Sequence, residues 1–322
     1  MMEGFAYAQP GTLREAFPLL TNKKGKLVAG GTDLLGEMQD GIVAPSLLVS
    51  LERISGLKTM REEKNVLRIG AMVTLAELES DKIVAEQYPL LTAAASEVAI
   101  PQLRAQATVG GNLCQRPRCW YYRGEFNCLK KGGSICYAQD GENQYHAIFG
   151  GGPCHIVHPS DMAVALMAMG ASARIIGPRG EKTVPLEKFY VLPQVDVKRE
   201  TILGPGEILV EIRVPKPAPD AGGVFRKMRE RGAWDFALVS VAAYALRKDK
   251  VVQEARIVLG GVAPIPWRAV RAEQALKGKT LTGPVMRLAG EAAVTDARPL
   301  SKNEYKITLT RNLVRQALAT LA

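Results

Sequence analysis

All five cysteines and all three histidines of this chain lie in one segment, from Cys114 to His158. The segment reads CQRPRCWYYRGEFNCLKKGGSICYAQDGENQYHAIFGGGPCHIVH and is rich in glycine and turn-forming residues. Thiolate and imidazole groups are the soft and borderline ligands that transition metals prefer. A loop that gathers so many of them predicts a metal centre, held by the segment from about 114 to 158.

The spacing of the cysteines leaves the identity of the metal open. The last four are separated by 8, 7 and 17 residues, which matches neither paired C-x2-C zinc knuckles nor the compact ferredoxin pattern. Four thiolates can hold tetrahedral zinc or a four-iron cluster, and ordinary buried thiols are the third alternative. Cys114, two residues after Asn112, is the thiol expected not to be a metal ligand when only four are needed. The histidines could complete a mixed zinc site or serve as hydrogen-bonded structural groups; they are His146, His155 and His158.

Two diglycine turns predict a site for an anionic ligand. In the segment 27–34, LVAGGTDL, a strand ends in paired glycines and enters a helix that Thr32 or Asp33 can cap. The segment 107–112, ATVGGN, repeats the theme and adds the hydroxyl of Thr108. Backbone N–H groups without a nearby Cβ suit a phosphate, although a plain tight turn is the alternative because the G-x-G-x-x-G fingerprint is absent. Two such elements could embrace one long anionic ligand.

A third signal is a basic stretch that begins at Phe225-Arg-Lys227. Side chains alternate along a strand, so Lys227, Arg229 and Arg231 would lie on the same side. Without further context, solvated surface charge is the better interpretation of these residues.

Composition limits the classes of partner. The chain has 322 residues, enough for two or three domains, and a formal net charge of +10. Its basic residues are scattered and aromatic residues make up only 6%, so a nucleic-acid surface is not expected. The longest nearly uninterrupted apolar run, 162–171, is too short to cross a bilayer, so no membrane partner is expected.

Cysteine usage and the N-terminus indicate the compartment. An odd number of cysteines confined to one segment argues against a disulfide framework and favours a reducing environment. The chain does not open with a basic region followed by an apolar one, as export signals do. We therefore expect a cytoplasmic protein, with export on a partner subunit as the one route to the periplasm.

Local patterns predict a mixed α/β protein. Short strands alternate with helices as far as about residue 214, with capping signals at Thr12, Thr74 and Ser160-Asp161. The segment 215–219, PKPAP, resembles a stiff linker. Beyond it the expected strands are 223–231, 236–247 and 251–259, followed by helices from about 269 to 321.

Five motifs occur in the same order as in a known family. They are LVAGGTDLL, ATVGGNL, HPSDMAVAL, PGEILVEIRVP and FRKMRERGAWDFALVSVA. Together they make the whole chain resemble the FAD-binding, or medium, subunit of the xanthine dehydrogenase family of molybdenum hydroxylases. The extra residues between Asn112 and Ser160 resemble an insertion in the 4-hydroxybenzoyl-CoA reductase beta subunit and in periplasmic aldehyde oxidoreductase, where it holds a four-iron four-sulfur cluster.

The resemblance implies an α+β (mixed α/β) architecture in two parts. Residues 1–217 would form a PCMH-type FAD-binding domain with lobes at about 1–57 and 58–217, the second interrupted by the insertion. Residues 218–322 would form a C-terminal flavoprotein domain of the CO dehydrogenase type, a three-stranded antiparallel sheet with helices.

It also implies two cofactors, FAD and one four-iron four-sulfur cluster. The implied FAD contacts are Leu27, Val28, Ala29, Gly30, Gly31, Thr32, Asp33, Leu34, Thr108, Gly110, Gly111, Asn112, Asp161, Leu209 and Lys227. The implied iron ligands are Cys119, Cys128, Cys136 and Cys154, with Cys114 as the alternative for the fourth because the last spacing is longer than in the reductase. Leu209 would press on the flavin ring region, and Lys227 would reach the flavin or its phosphates.

By the same resemblance, the chain is an electron-transfer subunit of a heterotrimer. Nothing in it looks like a molybdopterin site or a two-iron cluster motif, so no catalytic residue is assigned here. The implied partners are a small subunit with two two-iron two-sulfur clusters and a large molybdopterin-binding subunit, with ferredoxin or another electron carrier as a further candidate. The alternatives are a free-standing FAD oxidoreductase and a non-enzymatic adaptor whose loop holds zinc.

Overall fold

A computed structural model describes residues 3–322 of the chain. The strands are β1 Ala6–Ala8, β2 Lys26–Val28, β3 Leu47–Ser50, β4 Met60–Glu63, β5 Val66–Gly70, β6 Ser172–Gly177, β7 Gly180–Pro185, β8 Ile208–Pro215, β9 Ala221–Met228, β10 Val239–Lys248, β11 Val251–Gly260 and β12 Trp267–Arg268. The helices are α1 Leu13–Thr21, α2 Leu34–Gln39, α3 Leu75–Ser80, α4 Lys82–Gln87, α5 Pro89–Ser96, α6 Pro101–Arg104, α7 Val109–Leu113, α8 Trp120–Arg123, α9 Asp161–Ala168, α10 Val270–Leu276, α11 Gly283–Ala293 and α12 Tyr305–Thr320. Two short 3-10 turns, Leu129–Lys131 and Leu186–Lys188, complete the set.

The strands form three sheets, each from its own stretch of chain. The first is parallel, in the order β1-β3-β2, with Ala6 and Lys26 opposite Leu47 and Leu48 of the middle strand. The second is antiparallel, in the order β4-β5-β8-β6-β7. The third is antiparallel, in the order β12-β11-β10-β9. Its three long strands are those expected from the sequence, and the two-residue β12 is an addition.

Three helices begin at the capping residues that the sequence predicted. Thr74 forms a complete capping box with Glu77, because its hydroxyl accepts from the Glu77 N–H while the Glu77 carboxylate accepts from the Thr74 N–H. Thr12 and Ser160 likewise accept from the N–H groups three residues ahead. The three predicted helix starts are therefore confirmed.

The largest hydrophobic core joins the second and third sheets. Every residue of α9 is buried, so this helix has apolar neighbours on all sides. The second sheet contributes Ile69 and Ile212 to the cluster, and the third contributes Phe225 and Val258. The C-terminal sheet is thus packed onto the preceding part of the chain through α9.

The cysteine-rich insertion is anchored to the C-terminal part by backbone contacts. The N–H groups of Ile148 and Phe149 both donate to the Val262 carbonyl, at 2.8 and 3.0 Å. Lys306 of α12 is fully buried and donates to the carbonyls of Tyr145 (2.9 Å) and Gly261 (2.6 Å). Within residues 3–322, no helix is long and apolar enough to cross a membrane.

Candidate functional site: a diglycine cleft beside a group of thiols

The two diglycine turns line one cleft of about 720 Å³. Its walls include the whole of 27–34, the residues Thr108, Gly110 and Gly111 of the second turn, and Leu209 at the start of β8. The sequence expectation that both turns face one ligand-sized space is met by this arrangement.

Close approach of backbone explains why two of these positions are glycine. A Cβ at Gly30 would lie 1.8 Å from the carbonyl oxygen of Gln106, and one at Gly110 would lie 2.8 Å from that of Ala71. Gly31 also has a φ of +73°, a left-handed conformation that favours glycine. Glycine is therefore required at positions 30 and 110 by the close packing of the two turns against neighbouring backbone.

The second turn is tied to α9. The Thr108 hydroxyl accepts from the Gly111 N–H (3.1 Å) and so caps α7. Asn112 is buried and does not line the cleft; its side-chain oxygen accepts from the Ser160 hydroxyl at 2.6 Å. Since Ser160 caps α9, this bond fixes Asp161 relative to the diglycine turn.

The sequence predicted that Thr32 or Asp33 caps α2, and the side chain of Asp33 does not. It stands at the N-cap of α2 but makes no capping hydrogen bond there. Its carboxylate instead accepts from the backbone N–H of Arg116 (2.7 Å) and from the guanidinium of Arg123 (2.7 Å), and it pairs with Arg118 (2.9 Å). Sequence reasoning missed these arginines, although the QRPR run beside Cys119 contains two of them.

Asp161 and Lys227 form a buried ion pair. Their Oδ2 and Nζ atoms lie 2.7 Å apart, and the side chains are 6% and 1% exposed. Burial raises the pKa of Asp161, although the Lys227 ammonium opposes the shift. Lys227 also donates to the carbonyl of Glu97, whose carboxylate pairs with Arg229 (2.8 Å).

Lys227 and Arg229 thus share one side of their segment, as expected. Arg231 lies beyond the end of β9 and donates to the carbonyl of Trp234 instead. The interpretation of Lys227 as surface charge is wrong, because β9 packs against α5 and the Lys227 side chain is buried in its pair with Asp161 of α9.

Asp161 lines a second pocket, of about 360 Å³, between α9, the insertion and the C-terminal sheet. Cys119 and His146 of the insertion line it as well. Four buried polar atoms of its lining residues have no hydrogen-bond partner within residues 3–322: Nε of Arg118, Nδ1 of His146, Nε2 of His158 and Oγ of Ser240. A small pocket therefore brings one of the predicted FAD residues and one of the predicted iron ligands to the same space.

Cys119, Cys128, Cys136 and Cys154 each lie within electrostatic range of at least one other of these thiols. The Cys154 thiol hydrogen bonds to Cys136, and this lowers the pKa of Cys136 while raising that of Cys154. Cys119 is close enough to Cys128 and Cys136 for their charges to affect it, although burial is the main reason why its pKa rises to about 11. The insertion thus brings Cys136 beside Cys154, and Cys119 within electrostatic range of Cys128 and Cys136.

Polar groups surround these sulfurs. Backbone N–H groups of Tyr121 and Tyr122 favour the thiolate of Cys119, and those of His155 and Ala138 favour that of Cys136. Nε2 of His146 lies 3.3 Å from the Cys119 sulfur, and burial lowers the pKa of this histidine to about 4. The N–H groups of the insertion are therefore available to stabilise negative sulfur.

Cys114 lies apart from the other four. It lines the diglycine cleft, and its electrostatic neighbours are Lys26 and Tyr190. Across residues 3–322, no group of three or more His, Cys, Asp or Glu side chains is arranged to hold a metal ion. The assignment of four sulfurs to a larger centre stays a prediction.

Comparisons with known proteins agree with the fold and the cleft. Residues 3–217 match the family described as the FAD binding domain in molybdopterin dehydrogenase, and residues 223–321 match the CO dehydrogenase flavoprotein C-terminal domain. The aldehyde oxidoreductase FAD-binding subunit PaoB of Escherichia coli (strain K12) is 36% identical, over 99% of this chain and 98% of that protein. The carbon monoxide dehydrogenase medium chain of Hydrogenophaga pseudoflava is 29% identical, over 98% of this chain and 96% of that protein.

Solved structures show the same architecture. A carbon monoxide dehydrogenase chain from Hydrogenophaga pseudoflava superposes with a TM-score of 0.80 at 29% identity, covering 99% of this chain and 97% of that one. A chain of quinoline 2-oxidoreductase from Pseudomonas putida 86 gives 0.79 at 25% identity, with the same coverage. The expected mixed α/β fold is thereby confirmed. The chain belongs to the family of FAD-binding medium subunits of molybdenum hydroxylases, the xanthine dehydrogenase and carbon monoxide dehydrogenase type of oxidoreductase, in which the molybdenum chemistry belongs to another chain.

Proposed function

We propose that this subunit carries one four-iron four-sulfur cluster in addition to FAD and passes electrons between its partner subunits and an external acceptor or donor. The proposal is supported by the mutual electrostatic influence of the insertion thiols, one of which, Cys119, lines the same pocket as Asp161. A flavin exchanges one or two electrons and so connects two-electron chemistry to one-electron iron–sulfur carriers.

The cleft has the properties that FAD requires. Two diglycine turns line it, and Lys26 and Lys198 in its walls, which form no ion pair within residues 3–322, would offset the negative charge of a diphosphate. The residues that would hold FAD are those of segment 27–34, Thr108, Gly110, Gly111 and Leu209. Asp161, which lines the second pocket, and its partner Lys227 would act from that side. Asn112 would act indirectly, through its hydrogen bond to Ser160.

The four insertion thiols are the candidates for cluster ligands. Iron–sulfur clusters are held by four cysteine thiolates, and hydrogen bonds to their sulfurs set the reduction potential. The insertion supplies four sulfurs and several N–H groups directed at them. The position of Cys114 in the diglycine cleft favours Cys154 as the fourth ligand.

Partners are inferred from the relatives. Several are named as medium chains or medium subunits, which supports a complex with a small subunit carrying two two-iron clusters and a large molybdopterin-binding subunit. The likeness to an aldehyde oxidoreductase subunit favours an aldehyde-oxidising complex, whose substrate pocket would belong to the large subunit. Ferredoxin or a similar carrier is the proposed external partner. The domain limits 1–217 and 218–322, and the cytoplasmic location, are part of the same proposal.

Cofactor analysis of the purified complex and of this chain alone tests the proposal. We expect one FAD and about four iron and four acid-labile sulfide per chain when it is purified anaerobically without partners. A colourless protein with one zinc would support the adaptor alternative and overturn the cluster. Oxidation of a substrate by the isolated chain would instead support a free-standing oxidoreductase.

A further inference from the structure

We propose that Asp33 and Arg123 are positioning residues for the FAD cleft, through which the insertion holds the first diglycine turn in place. The inference deepens the proposed function and rests on FAD binding in the cleft. It also reverses the simplest role for Asp33, since the side chain would act on the insertion and not on the nucleotide.

The contacts of Asp33 leave little of its carboxylate free. Oδ2 accepts from the Arg116 N–H at 2.7 Å, while Oδ1 accepts from Arg123 at 2.7 Å and pairs with Arg118 at 2.9 Å. The Asp33 and Arg123 side chains are only 16% and 13% exposed. A charged pair with so little solvent is strong while it is intact and costly when one partner is lost.

A second contact joins the same two helices. Tyr122, the neighbour of Arg123 in α8, donates its hydroxyl to the carboxylate of Glu37 at 2.7 Å, and both side chains are 2% exposed. Arg123 is itself fixed by a hydrogen bond to the carbonyl of Pro117 at 3.0 Å. Helix α8 therefore contacts the N-cap and the first turn of α2.

Helix α2 starts directly after the first diglycine turn, so its position sets that of the turn. Gly30 is already pressed against the Gln106 carbonyl on one side. Arg123 and Tyr122 fix the other side. A ligand that needs the turn in one geometry should bind less tightly when this support is removed, because part of the binding free energy is then used to order the loop.

The test is the FAD dissociation constant of the full chain, measured by titrating flavin-free protein and following the quenching of flavin fluorescence. Arg123→Gln removes the charged donor, and Arg123→Lys keeps the charge. Asp33→Asn removes the acceptor, and the double variant closes a mutant cycle. Arg268→Gln is the matched control, since Arg268 makes a partly buried bidentate pair with Glu273 in the C-terminal part and lines neither the cleft nor the second pocket.

We expect Arg123→Gln and Asp33→Asn each to weaken FAD binding about tenfold, and the double variant to be no weaker than either alone. Arg123→Lys should recover most of the affinity, which a general loss of packing would not allow. Arg268→Gln should lower the melting temperature without changing the dissociation constant.

Wild-type affinity in Arg123→Gln, or additive losses in the double variant, would overturn the positioning role. A loss in Asp33→Asn alone would show that this carboxylate contacts FAD directly. If the wild-type chain does not bind FAD at all, the proposed function fails first, and this outcome is distinct from the others. Should Arg123→Gln not fold, the comparison of Arg123→Lys with Asp33→Asn decides the question.

Discussion

Cysteines of one segment occupy two different environments in this protein. Cys114 lines the diglycine cleft, and burial raises its pKa to about 12, which favours the protonated thiol. Cys119 and Cys136 receive backbone N–H groups that favour the thiolate. Residue type and spacing alone could not separate these environments, because the difference arises from where the chain folds back on itself.

The grouping of sulfurs predicts the effect of removing one of them. In Cys128→Ser we expect the iron content of the purified chain to fall to near zero while most of the FAD is retained, because Cys128 lies outside the diglycine cleft. Iron and flavin per chain, measured on the same sample, check this. Cys114→Ser is the control and should keep its iron. Full iron in Cys128→Ser, or loss of iron in Cys114→Ser, would show that the ligand set is wrong.

The close approach at Gly30 predicts a steric effect. Gly30→Ala would place a methyl group 1.8 Å from the Gln106 carbonyl oxygen, so backbone must move. We expect a loss of stability of about 1–3 kcal/mol together with a lower FAD occupancy. Gly36→Ala is a matched control in α2, since a Cβ at Gly36 would have no neighbouring atom within 4 Å. Equal flavin content in the two variants would contradict the assigned role of the turn.

At the scale of elements, the sequence predicted the features that depend on contacts between residues close together in the chain. The capping residues Thr74 and Ser160 were recognisable because their partners are three residues away. The hairpin between β10 and β11 is local in the same way, and Asp249 and Lys250 at its turn both have positive φ. Strands β4 and β7 were missed. They lie at the two edges of the second sheet and expose most of their side chains, so they carry no hydrophobic alternation.

The burial of Lys306 in α12 predicts that the stability of the protein depends on pH. Burial lowers the pKa of this lysine to about 7, so between about pH 7 and 10.5 the unfolded chain binds a proton that the folded chain does not. The free energy of unfolding is therefore highest above about pH 10.5 and falls as the pH drops toward 7, because folding then requires Lys306 to lose its proton. Urea unfolding across this range should show the free energy of unfolding rising with pH by at most about 1.4 kcal/mol per pH unit.

The variant Lys306→Met isolates this effect. The difference in unfolding free energy between wild type and Lys306→Met should change with pH in that window. Lys302→Met, on the exposed side of the same region, should leave the pH profile unchanged, because the Lys302 side chain is 48% exposed. Parallel profiles for wild type and Lys306→Met would show that Lys306 keeps an ordinary pKa in the folded protein.

At the scale of the whole molecule, sequence predicted the motifs but not how they support one another. The diglycine turns and the thiols were each recognisable, whereas the pairing of Asp33 with Arg123 joins residues far apart in the chain. Nor does local sequence show that Lys227 is buried against Asp161, because a basic residue on a strand has the same pattern at a surface. Such contacts depend on tertiary packing, which a single sequence does not display.

The shared core predicts that the two proposed domains do not fold independently. Helix α9 is buried on all sides, and Val164 lies so close to β11 that a Cβ at Gly260 would be 2.7 Å from its methyl group. A chain ending at residue 217 would expose this apolar face and deprive Asp161 of Lys227, so we expect it to aggregate and to bind FAD poorly. Co-expression of residues 218–322 as a separate chain should restore solubility, because it covers the same face. Soluble yield, a thermal melt and the FAD dissociation constant measure this; a monomeric 1–217 chain with a cooperative melt and full-length affinity would show that α9 needs no cover from the C-terminal sheet.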